Sequence, residues 1–272
     1  VGLAAAATAL TVLAPSPVGP AEAAPTGVHV VAVGDIAREG GGQARTAAMV
    51  AARDPRHLLL LGDLTYPDGS IADFATWFDP AYGRFLPRTW AVPGNHEYRT
   101  PGAAGYRTYL GVTGPTWWLR RTGAWSVIGL DSEQVSSIAQ QRFLAASLRS
   151  ENGRPTVVVW HRPRFSSGRH GDQRDTQVLY GVAARDRDVR LVLWGHDHHY
   201  ERLSLANGRL TGFVVGTGGA TPYRVSRPYR PSTRTVVSGR YGVLDLWLRP
   251  RGFTFRFTTG DGVVRDSGTR SW

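Results

Sequence analysis

The chain is punctuated by short apolar runs that stop at a polar side chain. Val28 to Val33 ends at Gly34-Asp35, Leu58 to Leu61 at Gly62-Asp63, Trp90 to Val92 at Pro93-Gly94-Asn95, Thr156 to Trp160 at His161, and Val189 to Trp194 at Gly195-His196. Runs this short, rich in Val and Leu, predict buried strands. Between them the spacing turns helical: Ala47 to Ala51 before Asp54-Pro55, then Phe74, Trp77, Phe78 and Tyr82, then Phe143, Leu144 and Leu148 before Asn152-Gly153, and finally Gln173 to Arg185. Strand, helix, strand at this spacing implies a right-handed crossover and parallel pairing, so Asp35 and Asp63 are expected on one edge of a sheet. Trp117 to Leu130, broken at Gly123, reads as a hairpin. The aromatic stripe Phe74–Tyr82 is expected to be core. Further on, Gly212 to Gly216, Tyr241 to Leu248 and Phe253 to Phe257 predict antiparallel strands completing a second sheet, with Pro222 to Thr235, rich in Arg and Pro, as an exposed loop. The pattern is α/β, with no repeat, linker or second domain.

With 272 residues, 42% of them hydrophobic, the chain can bury a large core, which excludes disorder. It has no cysteine, so disulfides, thiolate metal sites and cysteine nucleophiles are excluded, and any metal must use oxygen and imidazole. The formal net charge is +11 and every basic side chain is Arg. Such a balance favours anionic ligands such as phosphate esters, nucleic acid or acidic surfaces without choosing among them. Val1 to Ala14 is apolar and Ala-rich and is followed by Ala21-Glu22-Ala23, the pattern of a secretory signal with a small-residue cleavage site, although it lacks a basic start. The run is shorter than the ~20 apolar residues that span a bilayer. The expected organisation is a signal peptide and leader over residues 1–27 and a catalytic domain over 28–272, secreted and without stable membrane insertion.

In open α/β sheets ligands gather beyond the carboxyl ends of the strands. The five strand ends and their neighbours supply Asp35, Asp63 with Tyr66, Asn95 with His96, His161, and His196 with His198. Seven candidate ligands, Asp35, Asp63, Tyr66, Asn95, His161, His196 and His198, exceed what one ion takes but suit a dinuclear centre bridged by one carboxylate. The oxygen and nitrogen mixture favours iron, zinc or manganese. His29 and His57 read as structural, His199 as a neighbour of the site, and Arg162, Arg164 and Arg169 as phosphate-steering groups or a solvated rim.

In order, Gly34-Asp35, Gly62-Asp63-Leu64-Thr65-Tyr66, Gly94-Asn95-His96-Glu97, Val158-Val159-Trp160-His161 and Gly195-His196-Asp197-His198 resemble the five blocks of the calcineurin-like metallophosphoesterases. The narrower resemblance is to purple acid phosphatases: many superfamily members carry a His where this chain has Ala37, and the purple enzymes supply Tyr66 of the Gly-Asp-x-x-Tyr block instead. The resemblance implies a two-sheet β-sandwich flanked by helices, a four-layer αββα fold. It implies one metal held by Asp35, Asp63, Tyr66 and His198 and another by Asp63, Asn95, His161 and His196, with Fe(III) at the first site and divalent Fe, Zn or Mn at the second. By the same resemblance His96 and His170 contact the phosphate and protonate the leaving group. Gly171 departs from the family, which often has a second histidine there.

The expected activity is hydrolysis of phosphate monoesters by metal-activated hydroxide, with a small phosphorylated molecule as partner. Two alternatives stand: a phosphodiesterase or nucleotidase on the same site, or a basic anionic-polymer binding module with a degenerate metal site. Nucleic acid is not expected except as a possible substrate, and nothing in the sequence selects an oligomeric state.

Overall fold

A computed structural model describes residues 26–225 and 229–272; the expected signal peptide lies outside the described residues. Strands β1 (Val28–Val33), β2 (His57–Leu61) and β3 (Thr89–Val92) pair in parallel, with Val31 opposite Leu58 and Leu60 opposite Ala91. Helix α1 (Gln43–Arg53) makes the first crossover and stops at Asp54, whose left-handed backbone turns the chain before Pro55. The hairpin is β4 (Trp118–Thr122) and β5 (Trp125–Gly129). After it, β6 (Thr156–Val159) and β7 (Val189–Trp194) follow in parallel beside β5. Strands β8 (Tyr200–Leu205), β9 (Leu210–Val215) and β10 (Thr233–Val237) complete this seven-stranded sheet in the order β10-β8-β9-β7-β6-β5-β4.

The last strands do not go where the sequence pattern suggested. β11 (Gly242–Arg249), β12 (Gly252–Thr259) and β13 (Val264–Ser271) run antiparallel and extend the first sheet, in the order β13-β12-β11-β1-β2-β3. Leu244, Leu246 and Leu248 of β11 supply the inner layer beside Val30 and Ala32 of β1. A hydrophobicity pattern cannot distinguish that placement from a strand of the opposing sheet. β9, by contrast, lies in the second sheet as expected, antiparallel to β8 on one edge and parallel to β7 on the other.

Three apolar layers hold the molecule together. Between the sheets, Val30, Ala32, Leu59 and Leu61 meet Val127, Val157, Val159, Leu191 and Leu193. Outside the first sheet, Val31, Val33, Leu58 and Leu60 are covered by Ala47, Val50, Phe74, Phe78 and Tyr82. Outside the second, Ile128, Val158 and Val192 are covered by Leu144 and Leu148 from one helix (Ile138–Ser150) and by Leu179 and Ala183 from another (Gln177–Arg185). Strands buried on both faces explain why their sequences are continuous rather than alternating apolar runs. The result is the expected helix, sheet, sheet, helix sandwich. Among the described residues no helix is long and apolar enough to cross a membrane.

Candidate metal centre

The carboxyl ends of β1, β2 and β3 meet those of β6 and β7 on one rim, and the strand-terminal polar residues converge there. Three of them have left-handed backbones, Asp35 (φ 60°), Asp63 (φ 49°) and His196 (φ 72°), which is uncommon for residues with a side chain and concentrates where function over-determines the fold. Past Asp35 and Asp63 the two segments stay side by side, with the Ile36 N–H donating to the Asp63 carbonyl and the Ala37 N–H to the Leu64 carbonyl. Glycines precede them for a steric reason. A Cβ on Gly62 would lie 2.6 Å from His161 Nδ1, and one on Gly94 would lie 2.3 Å from Asp63 Oδ1.

Around Tyr66 the phenol oxygen stands 3.0 Å from Asp35 Oδ1, 3.2 Å from Asp63 Oδ2 and 3.3 Å from His198 Nε2. On the other side of Asp63, the same Oδ2 is 3.3 Å from His161 Nε2. Donor atoms of Asp63, His161 and His196 all lie within 4.8 Å of one another. Asp63 Oδ2 therefore faces two groups of donors at once. Backbone N–H groups hold the remaining carboxylate oxygens: His196 N–H donates to Asp35 Oδ2 and His96 N–H to Asp63 Oδ1, each at 2.8 Å. The histidines are oriented likewise, with His161 Nδ1 2.8 Å from the Leu61 carbonyl and His198 Nδ1 2.9 Å from the Thr221 carbonyl. A proton on each Nδ1 leaves the Nε2 lone pairs directed at the cluster, as in metal-binding histidines.

Asn95 Oδ1, His161 Nε2 and His196 Nε2 are buried without a hydrogen-bond partner. Three unsatisfied polar atoms beside one carboxylate would be costly in a protein that bound nothing there, since such atoms are normally paired. A cation accepting those lone pairs satisfies all of them. The residues present thus fit a metal ion at Asp63, Asn95, His161 and His196, and the donor set of Asp35, Asp63, Tyr66 and His198 fits a second.

Electrostatics agree with a cation-seeking site. Burial works against charge on Asp63, yet the adjoining His161 and His96 hold it well below the usual carboxylate range. Burial likewise opposes protonation of His161, and without a cation Asp63 overrides it, raising the imidazole to about 10, so a metal ion at Nε2 takes the place of that proton. His196 is pushed down to about 2 by burial and then by His161, which keeps it a neutral ligand. Tyr66 is raised far above the ordinary phenol value by burial and by Asp35 and Asp63. Only a strongly charged ion among those carboxylates reverses that preference.

Other residues hold these in place, and several carried no role in the sequence reading. Glu97 is fully buried and accepts N–H bonds from Asp63, Leu64, Thr65 and Gly94, tying the β2 and β3 loops together. Its place at the end of the Gly-Asn-His-Glu block was the available signal. Asp197, also fully buried, accepts from Ser166 Oγ, the His170 N–H and Tyr223 Oη, and so pins the loop carrying His170. Tyr223 stacks on His198 at 4.9 Å, although its Arg- and Pro-rich segment reads as an exposed loop; that segment also contributes the start of β10. Within it, Arg230 pairs with Asp172 at 2.5 Å and Thr233 bonds Glu201.

His96 lies over Tyr66, ring centres 4.1 Å apart, with Nε2 3.9 Å from Asp63 Oδ2. His170, itself exposed at the surface, lies 4.3 Å from the His196 ring, and the partial desolvation there lowers its pKa. Arg162 and Arg164 are engaged by Glu133 and Asp172, at 2.5 Å and 3.8 Å, and Arg169 is exposed. His29 bonds Asp245, His57 bonds Thr122, and His199 pairs with buried Glu201, so none of these three joins the cluster.

The chain is similar to several known proteins. Among them is purple acid phosphatase 17 of Arabidopsis thaliana, 21% identical over 279 residues that cover 87% of this chain and 80% of that protein. Its fold is similar to that of purple acid phosphatase PPD1 from yellow lupin (Lupinus luteus) seeds, TM-score 0.77 at 18% identity, covering 93% of this chain and 55% of the lupin chain. It is also similar to GAP50, the anchor in the inner membrane complex of Plasmodium, TM-score 0.76 at 16% identity, covering 91% and 89%. The sequence profile described as calcineurin-like phosphoesterase matches residues 28–200, the span that contains every residue of the rim cluster, and the chain belongs to that family.

Proposed function

We propose that the protein is a dinuclear metallophosphatase acting on phosphate monoesters, of the purple acid phosphatase type. The observation that carries this reading is the two-sided position of Asp63 Oδ2, with Tyr66 at 3.2 Å on one side and His161 at 3.3 Å on the other. Asp35, Asp63, Tyr66 and His198 would hold one ion and Asp63, Asn95, His161 and His196 the other. A phenolate ligand selects a strongly Lewis-acidic ion, so Fe(III) is assigned to the first site and divalent Fe, Zn or Mn to the second. Ions bound there supply Lewis acidity and lower the pKa of water to the physiological range.

The chain's own residues do the rest. Asn95 contributes a neutral oxygen and so limits the negative charge facing an anionic substrate. His96 and His170 flank the cluster from opposite sides, where they bind phosphoryl oxygens, and one of them delivers the proton to the departing alkoxide. Asp197 holds the His170 backbone, and the Pro67 carbonyl holds His96 Nδ1 at 2.5 Å, which leaves Nε2 turned toward the cluster. The partner is a small phosphorylated molecule rather than a nucleic acid. Secretion rests on the apolar start and Ala21-Glu22-Ala23, and is tested by fractionating the expressing cells.

Turnover of p-nitrophenyl phosphate and bis-p-nitrophenyl phosphate by the metal-loaded protein, side by side with Asp63→Ala, tests the assignment. Faster hydrolysis of the monoester, abolished in the variant, is expected. A preference for the diester moves the protein to the phosphodiesterases, and salt-sensitive polymer binding without turnover reverses the reading altogether.

A further inference from the structure

A cleft of about 300 Å³ opens off Tyr66 and His96, its wall completed by Arg38, Glu39, Pro67 and Trp77. Trp77 belongs to the aromatic stripe whose spacing predicts core, and its neighbours in the stripe behave so: Phe74, Phe78 and Tyr82 are buried. The difference lies in the local helix. Phe74–Phe78 is a π-turn, in which the Asp79 N–H reaches back to the Phe74 carbonyl. Such turns change the phase of a helix face and gather at functional sites. Here Trp77 is half-buried, packed on the apolar layer while lining the cleft.

His96 borders both the metal cluster and the cleft. An ester whose phosphoryl group sits at the cluster therefore has room for its organic group in the cleft. On the opposite side the rim is filled with rings, His170 on His196 at 4.3 Å and Tyr223 on His198 at 4.9 Å. Arg38 Nη1 donates to Thr221 Oγ1 at 2.8 Å, bracing the cleft wall against the segment whose carbonyl orients His198. A larger hollow of 640 Å³ around Phe165, Tyr180 and Arg230 includes none of the donor residues.

We infer that this cleft receives the leaving group of the substrate, and that it selects phosphate esters of aromatic or heteroaromatic alcohols. The inference rests on the phosphatase reading above. A flat ring covers the indole face of Trp77, and polar groups at its edge meet the Arg38 guanidinium and the Glu39 carboxylate. An alkyl or polyol group leaves the indole uncovered, and a second phosphate meets the Glu39 charge.

The test is calorimetric binding of phenylphosphonate and methylphosphonate to metal-loaded protein, alongside turnover. Phenylphosphonate is expected to bind roughly tenfold tighter or better to wild type, the range of a single ring-stacking contact. Trp77→Ala is expected to bring the two ligands within about twofold of each other, a difference too small for a stacking contact, while Trp77→Phe keeps the preference. Methylphosphonate affinity, unchanged across all three proteins, reports that the variants fold and hold metal. Equal affinities in wild type, or a phenyl preference that survives Trp77→Ala, overturns the inference. If neither phosphonate binds, the metal reading falls and this one with it. A Trp77-dependent preference without turnover removes the hydrolase assignment and leaves the cleft standing.

Discussion

Glu97→Gln replaces one carboxylate oxygen by an amide N–H at the junction of two ligand loops. In the native site Oε2 accepts from Asp63 N at 2.9 Å and Gly94 N at 2.7 Å, and Oε1 from Leu64 N at 2.8 Å and Thr65 N at 3.3 Å. Burial and the Asp63 carboxylate push Glu97 up to about 8, while the N–H donors pull the other way. Since both oxygens accept, the geometry selects the ionised form. Whichever way the glutamine amide turns, two buried N–H donors then face a donor. Leaving a buried donor unsatisfied costs about 1–3 kcal/mol, so the pair costs roughly 4 kcal/mol. For a domain of this size that lowers Tm by about 8–16 °C. Thermal unfolding followed by circular dichroism reads the shift directly. A Tm within about 2 °C of wild type, at most about 1 kcal/mol on that scale, would refute the idea that this carboxylate holds the loops.

Tyr66→Phe is expected to abolish the visible charge-transfer band of a phenolate–iron pair in the metal-loaded protein; a colourless wild type with full activity would demote the purple subtype to a generic metallophosphoesterase. His170→Ala should cost on the order of 3 kcal/mol in the transition state, read from kcat/KM, as for a lost electrostatic donor; an unchanged rate removes it from the chemistry. Glu151 is buried against Arg121, Ser126 and Arg154, and Arg121 leads in holding its carboxyl down at about 2. Because the folded value lies below the ordinary one of 4.5, the stability it contributes is present above pH 4.5 and is lost as the pH falls toward about 2. With Arg121 largely in solvent, that contribution is at most about 1 kcal/mol. Urea unfolding of wild type and Glu151→Gln at pH 7 and pH 3 should show the gap narrowing at acid pH, and a constant gap would contradict the assignment.

Strand-terminal residues were the most legible part of the chain, because strands buried on both faces are uninterrupted apolar runs and the first polar residue after each is forced to the rim. That logic placed Asp35, Asp63, Asn95, His161 and His196 together, and the structure brings them to one edge. Tyr66 and His198 entered only as neighbours of strand-terminal residues, five residues past the end of β2 and four past the end of β7, where spacing does not fix which way a side chain turns; the family resemblance gave them their places. What holds the cluster was less visible. Glu97 and Asp197 act through backbone N–H groups of distant loops, and Tyr223 arrives from an Arg- and Pro-rich segment whose composition suggests only solvent. Trp77 was hidden by its own periodicity, which a π-turn displaces. The assignment of β11 and β12 to the first sheet depends on a return across the molecule that no local pattern records, and β13, mostly exposed, has too few apolar positions to read as a strand.

The bridging role proposed for Asp63 is tested most directly by the metal-to-protein ratio. Elemental analysis of wild type and Asp63→Ala after identical loading with iron and zinc should give two ions per chain in the first and a loss of both from the second. One ion or fewer in wild type, or two retained without Asp63, would contradict a dinuclear centre built on this carboxylate.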